Sequence, residues 1–229
     1  MAGFAFDARV AAVFDDMIRR SVPGYGLTLS MLSQLAARYA QPGSTLFDLG
    51  CSLGAGIAAL QQGLSAEECR IVGIDNSEAM LAECRQRLAA LPAGAPVELL
   101  CADVRNGEIA DASLVALNFT LQFVPIEDRL PLLTRIHAGL RPGGILVLSE
   151  KIAFADAAEE AFQRELHHDF KRAQGYSDLE VSQKRQSLEN VLLPETVEAH
   201  RQRLQLAGFD AVYLWFQCFN FVSLVAIKR

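Results

Sequence analysis

The sequence predicts an α/β protein built on a doubly wound, mostly parallel sheet. Three observations carry this. Short apolar segments alternate with amphipathic helical ones from residue 45 to residue 149, the pattern of strands joined by crossover helices. The apolar segments are near-continuous, as in Ile71-Val72-Gly73-Ile74, which fits strands buried on both faces. A glycine-rich turn, Asp48-Leu49-Gly50-Cys51-Ser52-Leu53-Gly54-Ala55-Gly56, leaves the first strand and opens a helix. Right-handed crossovers then leave few other topologies.

Each element follows in order. Val10, Val13, Phe14, Met17 and Ile18 recur at helical spacing, and Val22-Pro23-Gly24 breaks the run. A second helix covers 27–39 and stops before Pro42-Gly43, so 1–42 reads as an N-terminal helical segment. Strands are expected over 45–49, 70–74, 97–101, 113–118 and 145–149. Between them lie helices from the glycine-rich turn to about 63, over 77–91 with Asn76 or Ser77 as N-cap, and over 126–139. Arg141-Pro142-Gly143-Gly144 reads as the turn that closes the last of these. After Glu150 the pattern changes. A charged, mostly helical stretch holding His167-His168, Lys171-Arg172 and Lys184-Arg185 reads as a cap insertion over 152–192 at the sheet edge. A helix over 194–207 ends at Gly208, and strands over 211–216 and 221–227 form a C-terminal antiparallel pair. Without repeats or linkers, 1–229 is a single domain.

Composition narrows the function. The 229 residues carry 21 Lys and Arg against 27 Asp and Glu, a net charge of −6, which argues against direct nucleic-acid binding. The five cysteines are odd in number and scattered, with no C-x-x-C. No disulfide framework and no metal site is expected, and a reducing, cytoplasmic setting fits. No apolar run approaches the roughly 20 residues of a membrane span, and no signal peptide is read at the start.

The chemistry begins at the glycine-rich turn, where bare backbone and free helix N–H groups can approach a polar ligand closely. Asp75 ends the second strand, 19 residues past Gly56, where an acid accepts from ribose hydroxyls. Asp103 follows the third strand, placed to accept from an adenine amino group with the Val104 amide donating to a ring nitrogen. Asn118 ends the fourth strand, and Asp48 is placed to face a ligand amino group. Gly50-Cys51-Ser52-Leu53-Gly54 also matches the G-x-S-x-G nucleophile elbow. None of the later histidines, His137, His167, His168 and His200, follows a late strand as a triad histidine would, and Cys51 reads as an inert buried thiol.

These residues resemble the class I S-adenosyl-L-methionine-dependent methyltransferases, whose sheet is Rossmann-like. Within that superfamily the chain resembles the carboxy-S-adenosyl-L-methionine synthase family along almost its whole length. The specific strings are 20–25 (Arg-Ser-Val-Pro-Gly-Tyr), 47–55, 117–123 (Leu-Asn-Phe-Thr-Leu-Gln-Phe), 167–173 (His-His-Asp-Phe-Lys-Arg-Ala), 182–185 (Ser-Gln-Lys-Arg) and 214–221 (Leu-Trp-Phe-Gln-Cys-Phe-Asn-Phe). The resemblance implies a homodimer that turns S-adenosyl-L-methionine and prephenate into carboxy-S-adenosyl-L-methionine and phenylpyruvate, for modification of a tRNA wobble uridine. It implies that Tyr25, Gly50, Cys51, Ser52, Asp75, Asn76, Asp103, Val104, Asn118 and Arg185 contact the adenosyl ligand. Arg185 is also the candidate catalytic residue, since a planar guanidinium can meet the new carboxylate with two parallel hydrogen bonds. Prephenate is a dicarboxylate and calls for a second cation, with Arg20, Lys171, Arg172 and Lys184 as unranked candidates. The alternatives are a conventional methyltransferase of small molecules and a non-catalytic carrier of S-adenosyl-L-methionine.

Overall fold

The computed structural model describes residues 7–64, 69–177, 179 and 191–229. Two helices come first, α1 (Ala8–Ser21) and α2 (Tyr25–Tyr39). The alternating part follows as β1 (Thr45–Leu49), α3 (Ala55–Gly63), β2 (Arg70–Asp75), α4 (Glu78–Ala89), β3 (Val97–Cys101), β4 (Ala112–Asn118), a 3-10 turn (Leu121–Phe123), α5 (Ile126–Gly139) and β5 (Leu140–Lys151). Then come α6 (Ala157–Ala173), α7 (Val197–Leu206), β6 (Ala211–Cys218) and β7 (Phe221–Ile227).

The seven strands form one sheet in the order β3-β2-β1-β4-β5-β7-β6. The first five in that order are parallel, and β7 pairs antiparallel with both β5 and β6. Strand order reverses between β1 and β4, which opens a crevice at their carboxyl ends. The expected doubly wound sheet with an antiparallel C-terminal pair is therefore the observed architecture.

Side-chain alternation splits the core into two layers. Phe47, Leu49, Val72, Ile74, Val115 and Leu117 face one way and pack with Leu132, Leu133 and Ile136 of α5. Leu46, Ile71, Leu114 and Ala116 face the other way and pack with Leu32 and Ala36 of α2 and Ile57 and Leu60 of α3. Strands apolar at every position are what such a two-faced burial requires.

Several boundaries differ from the sequence-based expectation. The Pro142-Gly143-Gly144 segment is not a separate turn. The strand begins at Leu140 and runs through a register shift, with Gly143 at φ +78°. The Gly143 N–H donates to the Lys228 carbonyl, and the Lys228 N–H donates to the Gly144 carbonyl, so pairing with the C-terminal tail extends the strand backwards. Helix α4 is capped by Ser77, whose hydroxyl accepts from the Met80 N–H. Helix α7 starts later than expected because Thr196 is its cap, accepting from the Ala199 N–H. Strand β3 is half-exposed at the sheet edge.

Helix α6 belongs to the expected insertion. It starts at the Asp156 cap and places Phe170 against Phe219 of the β6–β7 turn. It also joins α1. The His167 Nε2–H donates to the Ser21 carbonyl at 2.8 Å, and Arg20 Nε donates to the Gln174 carbonyl at 2.8 Å. The Arg20 guanidinium stacks 4.3 Å from the centre of the Tyr176 ring.

Candidate functional site

A cavity of about 700 Å³ lies over the carboxyl ends of the parallel strands, roofed by α1 and α6. This is within the usual size of a small-molecule site. Of the residues the sequence singled out, Tyr25, Asp48, Gly50, Cys51, Ser52, Asp75, Asn76, Asp103, Val104 and Asn118 all line it. Arg185 and Lys184 lie outside the described residues.

The glycine-rich turn is held by its own backbone. The N–H groups of Gly50 and Cys51 both donate to the Ile74 carbonyl, at 2.7 and 3.1 Å. Gly50 sits at φ +81°, and a Cβ there would lie 2.2 Å from Thr120 Oγ1. Both the backbone angle and the space therefore demand glycine. Gly56, the second residue of α3, is needed for a different reason: a Cβ would meet Asp48 Oδ2 at 2.3 Å. The smallest residue thus lets a buried carboxylate lie flat against the helix start.

Asp48 is 2 % exposed. Burial and the nearby charge of Asp75 push its carboxyl up to about 7, with the Ile57 N–H pulling the other way. Such a group invites a cation. Asp75 is fixed by the Ser52 N–H on Oδ2 and the Ser77 N–H on Oδ1, both at 2.9 Å. Burial still raises its carboxyl above the usual range. Each oxygen keeps lone-pair capacity for a further donor, as a ribose diol requires.

Asp103 is placed differently from a free acceptor. Arg105 holds both oxygens, with Nη2–Oδ2 at 2.6 Å, and reaches on to Asp128 at 2.7 Å. The Arg105 guanidinium keeps the Asp103 carboxyl below its usual range. Tyr25 is buried and in ring contact with Phe119, which meets Phe221 in turn. Burial raises its phenol strongly.

Among the described residues the nucleophile readings find no activating partner. The Ser52 hydroxyl meets the Met80 sulfur at 3.6 Å. His167, the cavity's histidine among the described residues, is engaged by Ser21, and burial and the Lys171 charge lower it to about 3. It is a neutral roof contact. Contact with the Cys84 thiol and burial push the Cys51 thiol up, far from a reactive thiolate. Among the described residues no cluster of three or more His, Cys, Asp or Glu could hold a metal, and no helix is long and apolar enough to cross a membrane.

Among the four candidate second cations, Lys171 lines the cavity. Arg20 is spent on Gln174, Asp16 and Tyr176, and Arg172 on Asp169. The structure adds Lys151, the last residue of β5, to the lining. Its one signal in the sequence is its place at the carboxyl end of a parallel strand.

A family model described as a methyltransferase domain matches residues 46–144, from β1 into β5. Over 230 residues the chain is 60% identical to the carboxy-S-adenosyl-L-methionine synthase of Geobacter sp. (strain M21), with 100% of this chain and 94% of that protein covered. It is also 60% identical to the synthase of the same name from Trichlorobacter lovleyi, over 98% of this chain and 93% of that one. The chain belongs to the carboxy-S-adenosyl-L-methionine synthase family. Its fold is shared with a putative S-adenosyl-L-methionine-dependent methyltransferase from Methanococcus maripaludis, at a TM-score of 0.66 and 17% identity, with 100% of this chain and 96% of that one covered. As a member of the synthase family the chain is an enzyme with the class I methyltransferase fold. The residues around the cavity suit an adenosyl sulfonium: backbone that can be approached closely, a ribose acceptor in Asp75 and a buried acid in Asp48.

Proposed function

We propose that this enzyme converts S-adenosyl-L-methionine and prephenate into carboxy-S-adenosyl-L-methionine and phenylpyruvate. The observation that carries the reading is the whole-length 60% identity to the Geobacter synthase. In this reading Tyr25, Gly50, Cys51, Ser52, Asp75, Asn76, Asp103, Val104 and Asn118 hold the adenosyl substrate, and Asp48 faces its ammonium group. Arg185 receives the carboxylate of the product. Prephenate aromatises by losing carbon dioxide and hydroxide. The hydroxide takes a proton from the activated methyl group to give water, and the methyl carbon bonds to the carbon dioxide. The chain then needs no base of its own, which agrees with a neutral, engaged His167. Its task is to orient both substrates and keep bulk water from the reacting carbon.

We propose further that the enzyme is a cytoplasmic homodimer whose product supplies wobble-uridine modification of tRNA, without itself contacting nucleic acid or a membrane. The net charge of −6 supports the last point.

The test is mass spectrometry of small molecules after incubating pure enzyme with both substrates. The expected result is S-adenosyl-L-methionine carrying one extra carboxyl, with phenylpyruvate in equal amount. Unchanged S-adenosyl-L-methionine at stoichiometric enzyme overturns the proposal. Arg185→Leu is expected to bind S-adenosyl-L-methionine but to lose its preference for the carboxylated form. Sedimentation of the pure enzyme checks the dimer, and a monomer at micromolar concentration refutes it.

A further inference from the structure

The charged groups of the cavity are sorted by sign. Asp15, Asp48, Asp75 and Asp103 line it on α1, at the ends of β1 and β2 and after β3, while Lys151 and Lys171 line it at the end of β5 and in the last turn of α6. Arg105, the other cation of the lining, is paired with Asp103 and Asp128. The two lysines are not. Among the described residues neither ammonium has an ion pair or a hydrogen bond, although Lys171 is only 8% exposed. Glu160, whose charge acts on Lys151, accepts from the Phe154 N–H at 3.0 Å.

Their backbones are held firmly. The Lys151 N–H donates to Gln122 Oε1 at 3.0 Å, and Lys151 pairs with Phe221 across β7. The Lys171 carbonyl accepts from the N–H groups of Gln174 and Tyr176, at 3.0 and 3.1 Å. Burial and the Lys151 charge lower Lys171 to about 8, and burial lowers Lys151 as well. Two like charges that act on each other in a cavity shielded from water are costly unless an anion joins them. Beside them stands an apolar, ring-lined wall: Phe221 meets His167 edge-on at 4.9 Å and Phe119 at 6.0 Å.

We propose that Lys151 and Lys171 form the subsite that binds a carboxylate of the second substrate, an organic dianion with an unsaturated ring, at the pole of the cavity opposite the acidic residues. The sulfonium substrate is drawn to the acidic pole and the dianion to the basic one, so the two cannot exchange places. This rests on the function proposed above and names the groups that select its anionic partner. It also separates Lys171 from Arg20 and Arg172, whose charges are used in the roof.

The test uses the full-length enzyme and prephenate as probe. Lys151→Met and Lys171→Met keep the length of the stem and remove the charge. Each is expected to raise the KM for prephenate about tenfold or more, as loss of a charge-assisted hydrogen bond does. The KM for S-adenosyl-L-methionine is expected to stay within about twofold. Lys171→Arg is expected to recover part of the loss. A second measurement needs no variant: prephenate is expected to slow acetylation of Lys151 and Lys171 in the wild-type enzyme, read by peptide mass spectrometry, whereas S-adenosyl-L-methionine alone leaves both reactive. If wild-type enzyme makes the carboxylated product but folded Met variants keep the wild-type KM for prephenate, the subsite is overturned and the function stands. If no product forms, the function fails, and the subsite is judged by protection alone. Equal acetylation with and without prephenate then overturns it too.

Discussion

Replacing Asp48 by asparagine isolates the cost of one buried carboxylate. Its ordinary value of 3.8 is pushed up to about 7 by burial and by Asp75. A shift of about three units corresponds to about 4 kcal/mol of differential stability. The sign follows from the raised folded-state value. The contribution to stability is fully present below the unfolded value near 4 and is lost as pH rises through 7. At pH 8 the ligand-free enzyme therefore carries the whole penalty, about 4 kcal/mol, and at pH 5 about 2 kcal/mol. An asparagine side chain at this position is neutral throughout and can still accept from the Ile57 N–H. Asp48→Asn is expected to raise the melting temperature at pH 8 by up to about 8–16 °C, at roughly 2–4 °C per kcal/mol for a chain of this size, and by about half as much at pH 5. Differential scanning calorimetry at both pH values reads this. The same variant is expected to lose S-adenosyl-L-methionine affinity, and titration calorimetry in buffers of different ionisation enthalpy should show that wild type releases a proton from Asp48 on binding near pH 7. A stability gain equal at pH 5 and pH 8, or no gain at all, refutes the reasoning.

Three further predictions concern the scaffold of the cavity. Arg129 is fully buried, bonds to the carbonyls of Val124, Gln122 and Leu193 and pairs with Glu195; Arg129→Met strands these partners and is expected to cost about 3–5 kcal/mol in urea unfolding, a loss under about 1 kcal/mol being the contrary result. Gly50→Ala puts a Cβ at φ +81° against Thr120; it is expected to abolish measurable S-adenosyl-L-methionine binding by equilibrium dialysis while the enzyme stays folded by circular dichroism, and wild-type affinity would speak against it. Ser77→Ala removes the cap of α4 and is expected to cost about 1 kcal/mol in the same unfolding assay, while the residue-77 N–H on Asp75 is kept; a Ser77→Asp variant should restore the cap.

What was legible in the sequence had local causes. The glycine-rich turn, Asp75 and Asp103 stand at strand ends whose order follows from crossover rules, so residues far apart in the chain could be assigned to one crevice. The mixed-sign lining and its basic pole were less legible. Lys151 follows a buried run and precedes a change of pattern, and its partner in the cavity is 20 residues on, in a helix whose docking depends on Ser21. The role of Arg129 was invisible for the same reason: its acceptors Leu193 and Glu195 lie more than 60 residues away. Asp103 was placed at the cavity, yet its Arg105 clamp depends on side-chain torsions that spacing does not determine. The start of β5 escapes a local reading because Pro142 and Gly143 look like a turn, while pairing with Lys228 makes them part of a strand.

The contact between α1 and α6 ties the beginning of the chain to a segment about 150 residues later through Ser21, Arg20, His167 and Tyr176. Neither helix is woven into the sheet, so this roof can come apart without unfolding the core beneath it. Amides of α1 and α6 should then exchange with solvent well before those of β1 or β4, and a molecule bridging the cavity should slow both helices together. Exchange at the roof would then gauge occupancy, reporting to solvent, amide by amide, what the sheet below is holding.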